Sequence, residues 1–252
     1  MDLRESHHAA VNRHPWELAR IKALRKISLA YGERAPGSRI LDLGCGDGFL
    51  IDALCCPESA GAIDAVDIHL TDDQLSTFSK ERPRVKFHNS YHSLSENGYE
   101  LITMFDVLEH VMDDVLFVQE TISRFATPGA LFFCTVPAFQ ALFSSHDTFL
   151  KHHRRYSLPG LEQILERAGL KVVRSGYLFG LLLPVRAVAV MVENLFGAAD
   201  KDPGIGHWRH GRFLTLMIAS IMDVDNFLLL WLSRMGIKIP GLTVWAVCET
   251  RR

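Results

Sequence analysis

The chain has 252 residues, of which 48% are hydrophobic and 22% are charged. This composition is typical of soluble globular proteins and excludes a disordered, collagenous or coiled-coil chain. The formal net charge of −2 gives no general electrostatic reason to bind nucleic acid, so no nucleic-acid partner is expected. Five cysteines without C-x-x-C spacing, and a polar first segment without an apolar secretory core, favour a reduced, cytoplasmic location.

The first helix is expected close to the N-terminus. Pro15 suits the first position of a helix, and apolar residues recur at every third position over 18–27. Gly32 and the Pro-Gly turn at 36–37 end this pattern. We therefore predict an N-terminal helical segment over residues 1–37, in which Trp16 either packs on the fold or belongs to a lid.

From residue 38 onward, strand-like apolar runs alternate with helical stretches. Alternation of this kind indicates right-handed crossovers and a parallel sheet that is covered by helices on both faces. The predicted strands are 39–43, 62–68, 85–88, 100–105 and 130–136, and the predicted helices are 49–56, 72–80 and 113–125.

After Pro137 the pattern changes. A polar, His-rich loop over 144–156 is followed by a helix over 159–168 and by strands over 171–177 and 243–250, with apolar helices between them over 184–196 and 213–234. We predict an α/β, Rossmann-like fold with a seven-stranded, mostly parallel sheet and a helical insertion between the last two strands. Residues 38–178 and 241–252 form the predicted core, and 179–240 the insertion.

The helix over 213–234 has a broad apolar face. Its polar residues fall within one sector, apart from Asp225, and Asp223 and Asp225 lie near its middle. A central Asp costs ~2.5–3.5 kcal/mol in a membrane span, so we predict an amphipathic helix rather than a span. Three partners stay open for the apolar face: the domain's own sheet, a second subunit in a homodimer, and a lipid surface or apolar substrate contacted through residues 181–232.

A glycine-rich turn is the sharpest signal in the sequence. Gly44, Gly46 and Gly48 follow an apolar strand and directly precede a helix, whose N-terminus offers free N–H groups to a ligand. A dinucleotide site prefers G-x-G-x-x-G, but the sixth position here is Phe49. The turn therefore departs from the dinucleotide pattern.

Carboxylates around this turn point to a cationic ligand without phosphate. Asp42 and Asp47 would repel a pyrophosphate, whereas they suit the ammonium and sulfonium groups of S-adenosylmethionine. Asp67 closes the second strand, 19 residues beyond Gly48, where a carboxylate can accept hydrogen bonds from both ribose hydroxyls. S-adenosylmethionine is the expected cofactor.

These residues resemble the class I S-adenosylmethionine-dependent methyltransferases of small molecules, including the ubiquinone-pathway O-methyltransferase group. Residues 41–48 read LDLGCGDG and resemble the first motif of the family. Residues 65–68 resemble the second motif, 105–111 the fourth, and 128–131 the turn before the fifth strand. The resemblance covers residues 38–173 with the motifs in order.

The resemblance implies the cofactor contacts. The methionine end would meet the glycine turn, the ribose the second strand and adenine the residues after it, although Ser90 stands where the family often has an acidic residue. The implied cofactor-binding residues are Asp42, Gly44, Cys45, Gly46, Asp67, Ile68, Ser90, Tyr91, Phe105 and Asp106.

Methyl transfer from a sulfonium is an in-line displacement, so a base is needed only when the nucleophile arrives protonated. We take His110 and His146 as the candidate catalytic residues. For His110, a base or substrate contact, a capping or cofactor-positioning role, and a metal ligand in Asp106-x-x-Glu109-His110 with His146, His152 or His153 stay open. A divalent metal is not favoured.

The His-rich loop supplies the other acceptor-side candidates. Arginines there would grip a carboxylate or phosphate, unless the loop is only solvated and caps the next helix. The candidate substrate-binding residues are Glu109, His152, Arg154, Arg155 and Tyr156. We expect methyl transfer to oxygen or nitrogen of a small-molecule or lipid-like acceptor. The alternatives are a non-catalytic interaction module with the methyltransferase fold and a nicotinamide-dependent oxidoreductase.

Overall fold

The computed structural model describes residues 13–31, 37–55, 60–96, 98–197, 208 and 210–251. Within them the strands are β1 (Ser38–Leu43), β2 (Ala60–Val66), β3 (Val85–His88), β4 (Tyr99–Phe105), β5 (Ala126–Pro137), β6 (Leu170–Leu178) and β7 (Thr243–Thr250). The α-helices are α1 (Pro15–Tyr31), α2 (Phe49–Leu54), α3 (Asp72–Glu81), α4 (Asp114–Phe125), α5 (Ser145–Leu150), α6 (Leu158–Arg167), α7 (Leu182–Phe196) and α8 (Arg212–Arg234).

The seven strands form one sheet in the order β3-β2-β1-β4-β5-β7-β6. Strands β1 to β5 pair in parallel, and β7 pairs antiparallel with both β5 and β6. The predicted Rossmann-like sheet is confirmed. Helices α7 and α8 lie in sequence between β6 and β7, so they occupy the long connection of an antiparallel pair.

The sheet separates two hydrophobic cores. Successive side chains of a strand point to opposite faces, and β5 accordingly places Phe132 in one core and Phe133 in the other. Val118 of α4 packs in the first core, whereas Leu24 of α1 and Met222 of α8 pack in the second. Helices on both faces therefore bury the central strands of the sheet, which are mostly apolar.

One predicted loop contains a helix. Residues 145–150 form α5 inside the segment 144–156, which the sequence analysis treats as a loop. The backbone N–H of Ser144 donates to the side chain of Asp147 at 3.0 Å, which is half of a capping box. Since Asp147 is also fully buried among cations, this short helix is fixed by polar contacts rather than by an apolar stripe.

Helix α8 packs with much of its polar sector toward the domain. Asn226 accepts a hydrogen bond from the backbone N–H of Phe179 at 2.8 Å, and Asp225 accepts one from that of Leu181 at 3.1 Å. These contacts satisfy backbone groups where the chain leaves β6. Met222 does pack in the core beside the sheet, but most large apolar residues of α8 are exposed, so the alternative in which the whole apolar face packs on the domain's own sheet is wrong.

Candidate active site

The glycine turn joins β1 to α2 and meets the end of β2. The backbone N–H of Gly44 donates to the carbonyl of Val66 at 2.8 Å. Gly44 has φ 67°, and a Cβ added there would lie 2.7 Å from Cγ2 of Val107. The turn therefore requires glycine at this position, because any larger residue would meet the chain that follows β4.

Asp67 lies directly after β2 and faces the turn. The backbone N–H of Gly46 donates to one of its carboxylate oxygens at 3.2 Å, and the N–H of His69 donates to the other at 3.0 Å. The side chain also lines the cavity described below. Its position after the second strand suits the predicted contact with ribose hydroxyls.

Asp42 is buried beneath the turn. The hydroxyl of Thr103 donates to its carboxylate at 2.6 Å. Burial raises the pKa of Asp42 to about 7, although this hydrogen bond acts in the opposite direction. A cation brought close to Asp42 would stabilise the ionised carboxylate, so its electrostatic role toward the cofactor stays a prediction.

Asp47 does not have the role that the sequence analysis gives it. Its carboxylate pairs with Arg13, and Arg82 lies 3.8 Å away. Burial opposes ionisation of Asp47, but the Arg13 charge outweighs it and lowers the pKa of the carboxyl. The charge of Asp47 is thus neutralised by arginines of this chain. Asp42 and Asp67 remain as the carboxylates that could attract the ammonium and sulfonium groups of S-adenosylmethionine.

A cavity of about 670 Å³ lies where β1, β2 and β4 end, a size that suits a small-molecule site. Of the predicted cofactor residues, it is lined by Gly44, Asp67, Ile68, Tyr91, Phe105 and Asp106. Of the predicted acceptor-side residues, it is lined by Glu109, His110, His146, His152 and Arg155. The structure thus brings most of the predicted residues to one space.

Some predicted residues do not line this cavity. Cys45 is buried, Ser90 caps the turn at 91–93, and Asp42 and Gly46 also lie outside the lining. Gly46 still contacts the site, since its N–H orients Asp67.

Two residues of the His-rich segment are turned away from the cavity, and their assignment as substrate-binding residues is corrected. Arg154 donates to the carbonyl of Met112 at 2.7 Å and pairs with Asp114 at 3.3 Å. The buried hydroxyl of Tyr156 lies 2.9 Å from the carbonyl oxygen of Leu108 and 3.0 Å from a carboxylate oxygen of Asp114, and its one proton is shared between these two acceptors. Both side chains fasten this segment to the start of α4.

Two arginines that line the cavity were missed. Arg20 of α1 is buried, pairs with Asp106 at 2.6 Å and donates to Thr135 at 2.7 Å. Arg186 of α7 contacts Ser144 and lies 3.7 Å from Asp147. Neither belongs to a motif, and only Arg186 offers a signal, as a charge within an apolar helical stretch.

Asp147 organises the acceptor side of the cavity. Its carboxylate lies 2.8 Å from Nδ1 of His152, 2.7 Å from Nε of Arg155 and 3.7 Å from Arg186. Burial opposes ionisation, but the hydrogen bonds from His152 and Arg155 outweigh it and hold the pKa of Asp147 well below its ordinary value. One carboxylate is therefore shared by two guanidinium groups and an imidazole, which leaves local positive charge.

Glu109, His110 and His152 form a compact group. One potential ligand atom from each lies within 4.8 Å of the others, and the two imidazole rings meet edge to face with centroids 4.7 Å apart. Both carboxylate oxygens of Glu109 are buried without a hydrogen-bond partner among the described residues. Burial, together with the nearby charge of Asp106, raises the pKa of Glu109 well above its ordinary value.

We expect Glu109→Gln to stabilise the apoprotein increasingly as the pH rises above about 4.5, the ordinary pKa of a glutamate. The unfolded chain releases the Glu109 proton over this range while the folded chain retains it, so the free energy of unfolding of the unchanged protein falls with pH. The limiting slope is about 1.4 kcal/mol per pH unit. Melting temperatures measured against pH in EDTA test this, with the exposed Glu166→Gln as the control. A variant that is less stable than the parent at pH 8 contradicts a protonated Glu109.

Comparison with known proteins agrees with this geometry. Residues 16–175, more than half of the chain, match the family described as a methyltransferase domain. The chain belongs to this family. The resemblance to class I S-adenosylmethionine-dependent methyltransferases is thereby confirmed, with S-adenosylmethionine as the family's cofactor.

Relatives of this methyltransferase-family chain include a "probable S-adenosylmethionine-dependent methyltransferase" of Mycolicibacterium smegmatis. It is 28% identical over 145 residues, which are 55% of this chain and 54% of the relative. A ubiquinone biosynthesis O-methyltransferase of Paracidovorax citrulli is 32% identical over 106 residues, 40% of this chain and 44% of the relative. The chain thus spans about half the length of these relatives or less.

Solved structures share the fold. A SAM-dependent methyltransferase from Archaeoglobus fulgidus superposes with a TM-score of 0.52 at 17% identity, covering 92% of this chain and 94% of that one. A phosphoethanolamine N-methyltransferase of Haemonchus contortus, in complex with phosphomonomethylethanolamine and S-adenosylhomocysteine, gives 0.56 at 12% identity and covers 92% and 52%.

Proposed function

We propose that the protein transfers the methyl group of S-adenosylmethionine to an oxygen atom of a small-molecule or lipid-like acceptor that carries an anionic group. The observation that carries this proposal is the single cavity in which Gly44, Asp67 and Ile68 meet His152 and Arg155. Cofactor and acceptor residues then face one another across the space where an in-line displacement takes place.

The charge of the acceptor side supports an anionic acceptor. Arg155 and Arg186 both line the cavity and share Asp147 as their carboxylate partner. Two guanidinium groups against one carboxylate leave an excess of positive charge, which attracts a carboxylate or phosphate. An ammonium acceptor would carry its own positive charge into these surroundings, so the same argument disfavours methylation of an amine.

His152 is available as a base for a hydroxyl acceptor. His152 is held at Nδ1 by Asp147, which fixes the ring and leaves Nε2 for a proton from the acceptor. Orientation of an imidazole by a buried carboxylate is the arrangement that a general base requires. His110 packs against this ring and His146 lines the same cavity, so both remain candidates for acceptor contact.

The Glu109, His110 and His152 group favours a second version of this function. Two imidazoles and one carboxylate with unpartnered oxygens form a donor set that suits a transition-metal cation. A bound cation would lower the pKa of a coordinated acceptor hydroxyl. Under this version Glu109 is ionised, and added Mn²⁺ or Zn²⁺ raises the melting temperature of the unchanged protein but not that of Glu109→Gln.

The test begins with binding of S-adenosylhomocysteine, measured by titration calorimetry, against NADH as the competing ligand class. Methyl-labelled S-adenosylmethionine is then supplied with small hydroxy acids and phenols, and with amines of the same size. We expect turnover of anionic hydroxyl compounds at least about tenfold above amines. Arg186→Gln should raise KM for these acceptors and leave S-adenosylhomocysteine affinity unchanged. A preference for amines contradicts oxygen methylation, and NADH binding alone contradicts the whole proposal.

A further inference from the structure

The outward faces of α7 and α8, with residues 235–239 after them, form what we term the apolar surface. Most of the large hydrophobic side chains that are exposed among the described residues lie here. Phe196 and Phe213 are each 83% exposed, Leu195 69% and Val185 64%. An apolar area of this extent on a soluble domain indicates an interaction surface.

Helix α8 packs polar as well as apolar residues against the domain and leaves most of its large apolar residues facing outward. Thr215, Asn226 and Ser233 are buried against the domain, while Val224 and Trp231 are exposed. The usual surface helix of a soluble protein has the reverse arrangement. Asn226 and Ser233 hydrogen-bond the domain from this inward side, which fixes the orientation of α8 and leaves most of its large apolar residues facing outward.

Helix α7 shows the same arrangement. Its two charged residues are both turned to the domain, where Arg186 contacts Ser144 and Glu193 accepts a hydrogen bond from the backbone N–H of Ser145 at 2.8 Å. Its outward residues, among them Val188, carry no charge. The outer faces of the two helices therefore offer no charged group of α7 and few of α8.

The segments that the structure does not describe are poor in large apolar residues. Residues 1–12, 32–36, 56–59, 97, 198–207, 209 and 252 include few large ones, namely Met1, Leu3, Val11 and Ile205. The remaining residues of these segments are mostly charged, polar or small. We therefore look for the occupant of the apolar surface outside these segments.

Basic residues border the apolar surface. Arg212 is the first residue of α8 and Arg234 the last, and both are exposed. Helix α1, which packs against α8, adds Lys22 and Arg25 as exposed residues. We propose that the apolar surface docks the protein on a lipid bilayer that contains anionic lipids, with the apolar residues among the acyl chains and the basic border at the headgroups.

The one partly exposed acidic residue within this border is neutralised. Among the charged residues of α8, Asp225 is buried and Asp223 lies 3.5 Å from Lys22 and 3.1 Å from Lys26. The exposed charge along α1 and α8 is therefore net positive. Trp231, half exposed near the end of α8, is a residue type that prefers the boundary between headgroups and acyl chains.

The same charges disfavour a second copy as the occupant. Two apolar surfaces placed face to face would bring their positive borders together, whereas anionic headgroups neutralise them. The arrangement of α8 also disfavours a membrane span, although α8 is long and apolar enough to cross a membrane by length and composition. Buried residues along the length of α8, between Thr215 and Ser233, hold this helix against the domain. Its buried side packs against α1 and β6.

Docking in this orientation brings the cavity close to the lipid. Arg186 lines the cavity from the inner side of α7, while Val188 and Val192 lie on its outer side. A helix with side chains is about 10–12 Å across, so one helix separates the cavity from the bilayer surface. Docking depends only on the apolar surface and its basic border, and not on the identity of the methyl acceptor.

Sedimentation with lipid vesicles tests the proposal. The full chain is mixed with phosphatidylcholine vesicles, with or without about one third phosphatidylglycerol, and the bound fraction is measured. We expect binding to the anionic vesicles at least about tenfold stronger than to the neutral ones, with a loss of that preference at high salt. The double variant Val224→Glu/Trp231→Glu should lose at least about tenfold in vesicle affinity, because two charges then enter the apolar surface.

Leu116→Glu is the matched control, since Leu116 is as exposed as Trp231 but lies on α4 at the opposite face of the sheet. It should bind vesicles like the parent. Phe196→Glu provides a second surface variant if the double variant is poorly folded.

Unchanged vesicle binding by the surface variants would overturn the proposal, as would absence of binding by the parent. A dimer in solution that these substitutions dissociate, or a chain that resists alkaline extraction from membranes, would overturn it too. Binding of S-adenosylhomocysteine by each variant reports the cofactor site separately.

Discussion

Replacing Asp67 with alanine is expected to weaken binding of S-adenosylhomocysteine by roughly 30- to 1000-fold. Asp67 is fixed by the backbone N–H groups of Gly46 and His69 and lines the cavity after β2. Two ribose hydroxyls that donate to one carboxylate are worth about 2–4 kcal/mol together, and their loss corresponds to that change in Kd. Titration calorimetry with S-adenosylhomocysteine measures the effect directly.

Two further variants separate binding from folding. Asp67→Asn keeps the size of the side chain and one carbonyl oxygen, so it should fold like the parent and still bind at least about tenfold more weakly. Asp73→Ala removes an exposed carboxylate from the first turn of α3 and should leave affinity unchanged. If Asp67→Asn binds the nucleoside as tightly as the parent, Asp67 is not the ribose ligand.

The sequence was sufficient for the sheet because the relevant signals are local. Apolar runs bounded by turns gave the strands, and the glycine turn before α2 gave the position of the cofactor loop. Gly44 illustrates why this works. A glycine after an apolar strand already indicates a turn such as the one with φ 67° at Gly44, whereas the close approach of Val107 is seen only in the structure.

The remaining errors concern contacts between residues distant in sequence. From the sequence, Asp47 is predicted to meet the cofactor. In the structure its carboxylate pairs instead with Arg13, which lies 34 residues earlier in the chain. Arg20 reaches Asp106 only because α1 packs across the sheet, and no motif marks that arrangement. The direction in which α8 faces was also undetermined, since periodicity defines two sectors of a helix but not which sector meets the domain.

On the acceptor side of the cavity, the pairing of Asp147 with His152 is another contact that the sequence does not predict. Both residues stand in a recognisable His-rich segment, but the sequence gives no reason to rank His152 above His110 or His146 as a base. The 2.8 Å contact between Nδ1 of His152 and the Asp147 carboxylate provides that reason. Because Asp147 is fully buried and stays ionised, the ring of His152 is held in one orientation.

Replacing His152 with alanine is expected to lower kcat by roughly 100- to 10,000-fold, the usual contribution of a general base, while the Kd of S-adenosylhomocysteine stays the same. Single-turnover rates with a hydroxyl acceptor, measured against pH, test this. The variant should regain rate as the pH approaches the pKa of the free acceptor, since the acceptor then arrives deprotonated. An acceptor that is already ionised at neutral pH should be methylated by the variant nearly as fast as by the parent.

His153→Ala is the control for this experiment, because His153 is the next residue and its side chain is exposed. Its backbone N–H donates to the carbonyl of Glu109 at 2.7 Å, a contact that alanine retains. It should therefore keep the rate and the pH profile of the parent. If His152→Ala instead loses rate equally with protonated and ionised acceptors, His152 positions the acceptor rather than removing its proton. In that case the base must be sought in His110 or His146, which line the same cavity.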